Sequence, residues 1–441
     1  MTRKTHPLLF VLTASLCLVG VLADAADPRL SLVRPRGAQR GTEVELLFSG
    51  SRLEDAEQVF FYSPGFEQVS IEPVNANSFK AKVKIAPETV LGEHVMAVRT
   101  KSGISDYRTF WVGPFPSAEE KEPNTTFEQP QDIELTNQTM EGRIDNEDVD
   151  YFRVNATKGQ RISVEVEGLR LGNTLFDPYC AILDANRFEL AASDDTPLLH
   201  QDCMASIVAP EDGQYIIEVR DSSYQGNGAA YYRAHIGTFP RPTAVYPAGG
   251  QVGQELDVTY LGMPGGEMKS KVKLPAEVTE DYGVLAEDAG GVAASLNTFR
   301  LFPHGNVLEV EPNEDRTKAT SATLPNAFNG IIQSDGDVDF FKFTAKKGQT
   351  WEIHCHARSI RSQLDPVMNL YDANGKGLTG NDDANRSPDS YFRYSFPADG
   401  EYVIRVTDHL KRGGADFVYR IEFTPVTPSI DLGIPRVTRY G

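Results

Sequence analysis

The chain has 441 residues, 40% of them hydrophobic and 24% charged, which is enough to build three or four domains of ~100–150 residues, each with its own core. Its formal net charge is −19. A surface this acidic repels phosphate backbones, argues against nucleic acid as a partner and favours cations.

Residues 1–25 have the form of a secretory leader. Arg3 and Lys4 supply the positive start, Pro7 to Leu22 the apolar run, and Ala23-Asp24-Ala25 the small-x-small cleavage site. Thr13 and Ser15 interrupt the run, which is shorter than the ~20 residues a spanning helix needs. No later segment is apolar enough to cross a bilayer. The expected location is therefore secreted, periplasmic or at the cell surface. An oxidising compartment permits disulfides, and Cys180 and Cys203 share the parity of the apolar positions in two consecutive strand-like segments. They read as one bridge or as two separate buried thiols.

Beyond the leader the pattern is all-β. Val44 to Phe48, Phe79 to Ile85 and Tyr402 to Val406 alternate with period two, most cleanly where lysine takes every second place at 80, 82 and 84. Between the strands lie turn clusters such as Asp184-Ala-Asn186 and Asp399-Gly400, where Asn and Asp bond their own backbone. No helical period lasts three turns. Tandem β-sandwiches are expected.

The sequence is also duplicated. Glu122-Pro123-Asn124 returns as Glu311-Pro312-Asn313, and Asp148-Val149-Asp150-Tyr151-Phe152 as Asp337-Val338-Asp339-Phe340-Phe341, both at an offset of 189. Asp177-Pro178 and Asp194-Asp195 return at Asp365-Pro366 and Asp382-Asp383, and Gly213-Gln-Tyr215 at Gly400-Glu-Tyr402. The smaller units repeat as well: Pro35, Gly41 and Gly50 match Pro247, Gly253 and Gly262 at an offset of 212, whereas Phe110 matches Phe299 at 189. The second small unit is therefore 23 residues shorter, about two strands with their loops. The order is A–B–A′–B′: A at 28–114, B at 119–238, a shortened A′ at 240–306, B′ at 308–425, then 426–441 as a tail or the start of a missing domain. Proline-rich joints at 114–116 and 239–242 restrict the angles between units.

On the series Glu-Pro-Asn, Asp-Val-Asp-(Tyr/Phe)-Phe, Gly-Gln, Asp-Pro, Asp-Asp and Gly-x-Tyr, the B units resemble the bacterial pre-peptidase C-terminal domain. The resemblance implies a secreted, jelly-roll-like β-sandwich that usually accompanies an extracellular peptidase, with some relatives binding calcium, collagen or polysaccharide. No peptidase domain precedes the B units in this chain, a departure from that pattern. The A units resemble immunoglobulin-like domains of the IPT/TIG kind through Pro35-Arg-Gly37 … Gly41-Thr … Gly50.

Each B unit carries an acidic set: Glu122, Asn124, Asp148, Asp150, Asp177, Asp194 and Asp195, and then Glu311, Asn313, Asp337, Asp339, Asp365, Asp382 and Asp383. These are hard oxygen donors, and calcium takes six to eight of them. The plainer reading is that they cap turns and start strands. Asp335-Gly-Asp337-Val-Asp339 has the one-three-five spacing of a calcium loop but lacks the glycine and terminal glutamate of an EF-hand. His354-Cys355-His356 places two imidazoles on one side of a strand, opposite Glu165-Val166-Glu167 in the first copy. The expected arrangement is a solvent-facing pair around a buried small residue, with a transition-metal pair as the alternative. Where Tyr151-Phe152 and Phe340-Phe341 follow the Asp motif, one ring of each pair is expected inside and one outside.

Catalytic signatures are missing: there is no His-Glu-x-x-His, no Gly-x-Ser-x-Gly and no phosphate-cradling glycine loop. The expected function is a non-catalytic binding or spacer array for an extracellular polysaccharide or protein. The alternatives are the accessory region of a secreted peptidase, or a hydrolase using carboxylates ~5–10 Å apart.

Overall fold

A computed structural model describes residues 27–384 and 386–427. The leader expected over 1–25, and residues 428–441 of the expected tail, lie outside them. Among the described residues there is no α-helix; strands and four short 3-10 turns account for the regular structure. Among the described residues no helix is long and apolar enough to cross a membrane.

Between residues 29 and 113 two four-stranded sheets face each other. One runs Arg29–Arg34, Glu43–Ser51, Ser78–Ile85, Phe66–Asn75, and the other Gly37–Gln39, Arg108–Gly113, Gly92–Thr100, Ala56–Phe61. The lysine-alternating strand shows why the sandwich forms. Phe79, Ala81, Val83 and Ile85 are buried in the core while Lys80, Lys82 and Lys84 face water, so a single strand divides the two environments.

Residues 117–237 form a larger sandwich of two five-stranded sheets. The first runs Gln131–Asp132, Val149–Ala156, Gly213–Asp221, Pro178–Asp184, Glu189–Ser193. The second runs Cys203–Val208, Arg161–Glu167, Tyr231–Gly237, Gln138–Arg143, Ser117–Glu119. Residues 306–425 repeat this strand for strand. Thr320–Ser321, Asp339–Ala345, Gly400–Asp408, Pro366–Asp372 and Gly377–Asn381 form one sheet. Tyr391–Ser395, Thr350–His356, Val418–Pro425, Ala327–Ile331 and Asn306–Leu308 form the other. In the first copy Cys180 and Cys203 lie in the same core as free thiols, and Cys355 is free and buried in the second. Of the two readings of Cys180 and Cys203, the structure has the unbridged one. Burial and the neighbouring Cys180 push the Cys203 thiol well up, so it stays protonated.

Between the two large sandwiches sits a reduced unit. Ala244–Tyr246, Glu255–Leu261 and Met268–Lys273 make a three-stranded sheet, and Gly249–Gln251 pairs in parallel with Arg300–Phe302. Gly37–Gln39 pairs in the same way with Arg108–Gly113. In the first unit the strands Ala56–Phe61 and Phe66–Asn75 lie between the second and third equivalents of that sheet; in the reduced unit only a turn joins Leu261 to Met268. Met268–Lys273 is consequently a sheet edge.

The units are packed against one another. Phe115, Phe239 and Ala294 form one small apolar cluster at the joints, and Ala244, Ala248 and Leu261 meet Ile360 and Val418 in another.

Candidate metal centres

In each large sandwich one corner gathers the acidic motif. The strand beginning at Val149 brings Asp148 and Asp150 to the rim, and the segment running into Gln131–Asp132 lays Glu120, Glu122 and Asn124 over it. Carboxylate oxygens of Glu122, Asp148 and Asp150 lie within 4.8 Å of one another, as do those of Glu309, Glu311 and Asp339 in the second copy.

Local hydrogen bonds fix the approach. Asn124 N donates to Glu122 Oε2 at 3.0 Å, and Tyr151 N donates to Asn124 O at 3.0 Å, which ties the Glu-Pro-Asn segment to the first strand residue after the Asp motif. The second copy matches: Asn313 N to Glu311 Oε2 at 2.9 Å, and Phe340 N to Asn313 O at 3.2 Å. Asp148 accepts from Val149 N at 3.0 Å, and Asp337 from Val338 N at 2.7 Å, so each also opens its strand.

Two further residues complete each corner. Tyr232 Oη lies 2.6 Å from Asp150 Oδ2 and 2.9 Å from Glu120 Oε2; Tyr419 Oη lies 2.6 Å from Asp339 Oδ2. One phenolic hydrogen can serve only one carboxylate, so in the first copy a carboxyl proton or a cation has to reconcile the second contact. The tyrosine ring fits because its cross-strand partner is a glycine. A Cβ on Gly142 or Gly330 would collide with the tyrosine hydroxyl and with the glutamate oxygen beside it.

What remains at these corners is a set of buried, unpartnered oxygens. They are Asn124 Oδ1 and Asp150 Oδ1 in one copy, and Asn313 Oδ1, Asp339 Oδ1 and Glu309 Oε2 in the other. Leaving such groups unpaired costs about 1–3 kcal/mol each, more for charged ones. Burial, then the charge of Glu120, pushes Asp150 up to about 10. Burial, then Asp339, pushes Glu309 up to about 10, and Asp339 itself rises to about 7. Carboxylates held this far from their ionised range are what a bound cation would relieve. The donor set is all oxygen and suits calcium rather than a softer metal.

The remaining residues of the acidic set do not join this corner. Asp177, Asp194 and Asp195 follow along the same rim of the sheet, where Pro178 pairs with Asp221 and Cys180 with Ser193. Asp177 accepts from Ser222 Oγ at 2.7 Å, and Asp194 accepts from Asp195 N at 2.9 Å. Burial, with the charges of Asp177 and Asp194, raises Asp195. In the second copy Asp382 accepts from Asp383 N at 3.0 Å, and Asp365 N donates to Asp408 at 3.0 Å. The single acidic set read from sequence therefore divides into a convergent corner and a separate group of turn caps. Asp335 is outside both, accepting from Gly413 N at 3.1 Å.

Two expectations are corrected. Glu165 and Glu167 do not face solvent; both are buried, because neighbouring units cover that face of the sheet. Glu165 pairs with Arg241 of the joint, with Arg170 at 2.8 Å and with Ser295 Oγ at 2.6 Å; Glu167 pairs with Arg233 at 2.6 Å and His235 at 3.2 Å. Burial alone would raise Glu165, but Arg241 and Arg170 outweigh it and hold the carboxyl down at about 2. His356 is likewise buried and His354 half-buried. The second correction concerns Tyr151 and Phe152, which are both buried. Tyr151 sits in a satellite cluster with Ala181, Leu183 and Ile216, edge-on to Phe127.

A duplicated β-sandwich with a buried acidic corner in each copy defines a class: a tandem module built around candidate cation sites. Residues 148–221 and 337–408 match the family described as "Bacterial pre-peptidase C-terminal domain", and the chain carries two such domains. Over 78 residues it is 47% identical to the "Probable subtilase-type serine protease" of Deinococcus radiodurans, a stretch covering 18% of this chain and 11% of that protein. Among solved structures it is similar to the pre-peptidase C-terminal domain of Bacillus anthracis collagenase, at 13% identity and a TM-score of 0.21, covering 26% of this chain and all of that one. A second is Bacteroides ovatus SGBP-B in complex with a mixed-linkage heptasaccharide, at 11% identity and a TM-score of 0.19, covering 90% of this chain and 74% of that one.

Proposed function

We propose that the protein is a secreted, non-catalytic array whose two pre-peptidase C-terminal domains each bind calcium and together hold an extracellular polymer, polysaccharide or protein. The observation that carries this reading is that corresponding residues build both acidic corners, with Glu122, Asp148 and Asp150 converging in one and Glu309, Glu311 and Asp339 in the other. Glu120, Glu122, Asn124, Asp148, Asp150 and Tyr232 correspond to Glu309, Glu311, Asn313, Asp337, Asp339 and Tyr419, with buried oxygens unpartnered in both copies. Calcium at these corners would neutralise the carboxylates and tie the incoming segment to the sheet. Two weak polymer sites on one chain reinforce each other by raising the effective concentration of the second contact. The smaller sandwiches, read as immunoglobulin-type spacers, set the distance between them. Titrating the metal-stripped protein with calcium should give at least two sites and a higher Tm, and Asp150→Asn and Asp339→Asn should each remove one. No heat and no gain in Tm would overturn the calcium reading. No retention on any insoluble polysaccharide or fibrous protein would overturn the polymer reading.

The identity to part of a subtilase-type protease favours a second reading, the accessory region of a secreted peptidase that aids folding, secretion or substrate binding. Unchanged secretion and maturation of such a peptidase, expressed with and without this chain, would count against it.

A further inference from the structure

The two copies differ in chemistry at one place, at the end of the strands Arg161–Glu167 and Thr350–His356. In the first copy Arg170 carries its guanidinium between two carboxylates, Glu165 at 2.8 Å and Asp202 at 2.7 Å. In the second, Glu165 is replaced by His354, Glu167 by His356 and Arg170 by Ser359, while Asp202 persists as Asp389. The backbone correspondence is tight. Asp202 accepts from Gly168 N and Leu169 N, and Asp389 from the equivalent Ala357 N and Arg358 N. Glu165 pairs across the sheet with His235, and His354 with Glu422 in the same register. The side chain that served as the built-in cation has thus been cut back to a hydroxyl, and two of its anionic neighbours have become imidazoles.

We propose that His354, His356 and Asp389 bind a zinc-class divalent ion where the first copy holds the Arg170 guanidinium. One donor atom from each residue lies within 4.8 Å of the others. Zinc–nitrogen bonds of ~2.0–2.1 Å place tetrahedral donors ~3.3 Å apart, so the donors close by up to ~1.5 Å, which a half-buried His354 ring can supply. The two ring centroids already lie 3.9 Å apart, with the ring planes tilted by 31°. His356 is oriented for the task. Its Nε2 faces Glu422 at 3.2 Å, giving the carboxylate–histidine pairing that supports metal-bound imidazoles. Its Nδ1 meets the Ser359 hydroxyl at 3.0 Å, and Ser359 N donates to Asp389 Oδ2 at 3.1 Å, so one residue contacts both ligands. The nearby Arg300 and Arg420 both pair with Glu422. Nitrogen donors set this site apart from the all-oxygen corners, so the two should select different metals.

The test is zinc titration of the full, metal-stripped chain at neutral pH with calcium in excess. One zinc per chain is expected, together with tetrahedral cobalt(II) absorption bands when cobalt replaces zinc. His354→Ala alters a half-buried side chain and should weaken zinc at least ~10-fold with calcium binding unchanged. His354→Glu combined with Ser359→Arg restores the ion pair of the first copy and should fold while losing zinc. Absence of zinc binding, or binding unchanged in both variants, overturns the proposal. Calcium failing to bind while zinc binds would overturn only the reading of the acidic corners.

Discussion

At the scale of single residues, the acidic corners hold buried carboxyl groups that oppose one another. A carboxyl whose pKa rises on folding holds more protons folded than unfolded between the two values, so stability falls as pH climbs through that interval. For Asp339 the interval runs from 3.8 to about 7, and for Asp150 from 3.8 to about 10. The metal-stripped protein should therefore lose Tm from pH 5 to pH 8, and the Tm gained on adding calcium should grow over the same range; thermal melts at several pH values with and without calcium check this. Gly330→Ala forces Tyr419 off Asp339 and should cost about 1–3 kcal/mol together with the calcium affinity of the second copy alone. Glu122, Asn124, Asp148 and Asp150 could be singled out from sequence because they form short repeated motifs. Tyr232 could not, since it lies 82 residues from Asp150 and sits in a strand that reads as core. Glu120 was within reach: it repeats as Glu309 at the same offset of 189 as its neighbours.

At the scale of strands, alternation was readable wherever one side of a sheet faces water, as Ser78–Ile85 does. It misled in Arg161–Glu167. There a polar-apolar alternation implies an exposed face, yet Ile162 through Glu167 are all buried because another unit closes over the acids. A single strand carries no trace of what will cover it. The signal was spread among the nearby Arg170 and the distant Arg233 and Arg241, which neutralise those acids. Removing one partner of a buried pair strands the other, so Arg241→Ala should destabilise by about 3 kcal/mol, read by urea denaturation. Arg241 comes from the joint, so its loss should also loosen the contact between the first large sandwich and the reduced unit.

For the whole molecule, duplication was the most legible property, because it repeats motifs and spacings together; the covered faces were the least, because they arise only when units meet. Gly37 and Gly249 mark this at equivalent junctions, where a Cβ would strike Arg233 and Arg420 reaching across from the following sandwich. The reduced unit has a further consequence. Its edge strand Met268–Lys273 offers a row of backbone donors and acceptors that in the first unit are paired by Phe66–Asn75. A bare edge invites the same edge of another molecule to zip onto it. Lys269, Lys271 and Lys273 stand at every second position, and two such edges brought together would set ammonium groups against ammonium groups. The lysines shared with the first unit thus become, in the second, a guard against fibrous self-association, one that high salt should weaken.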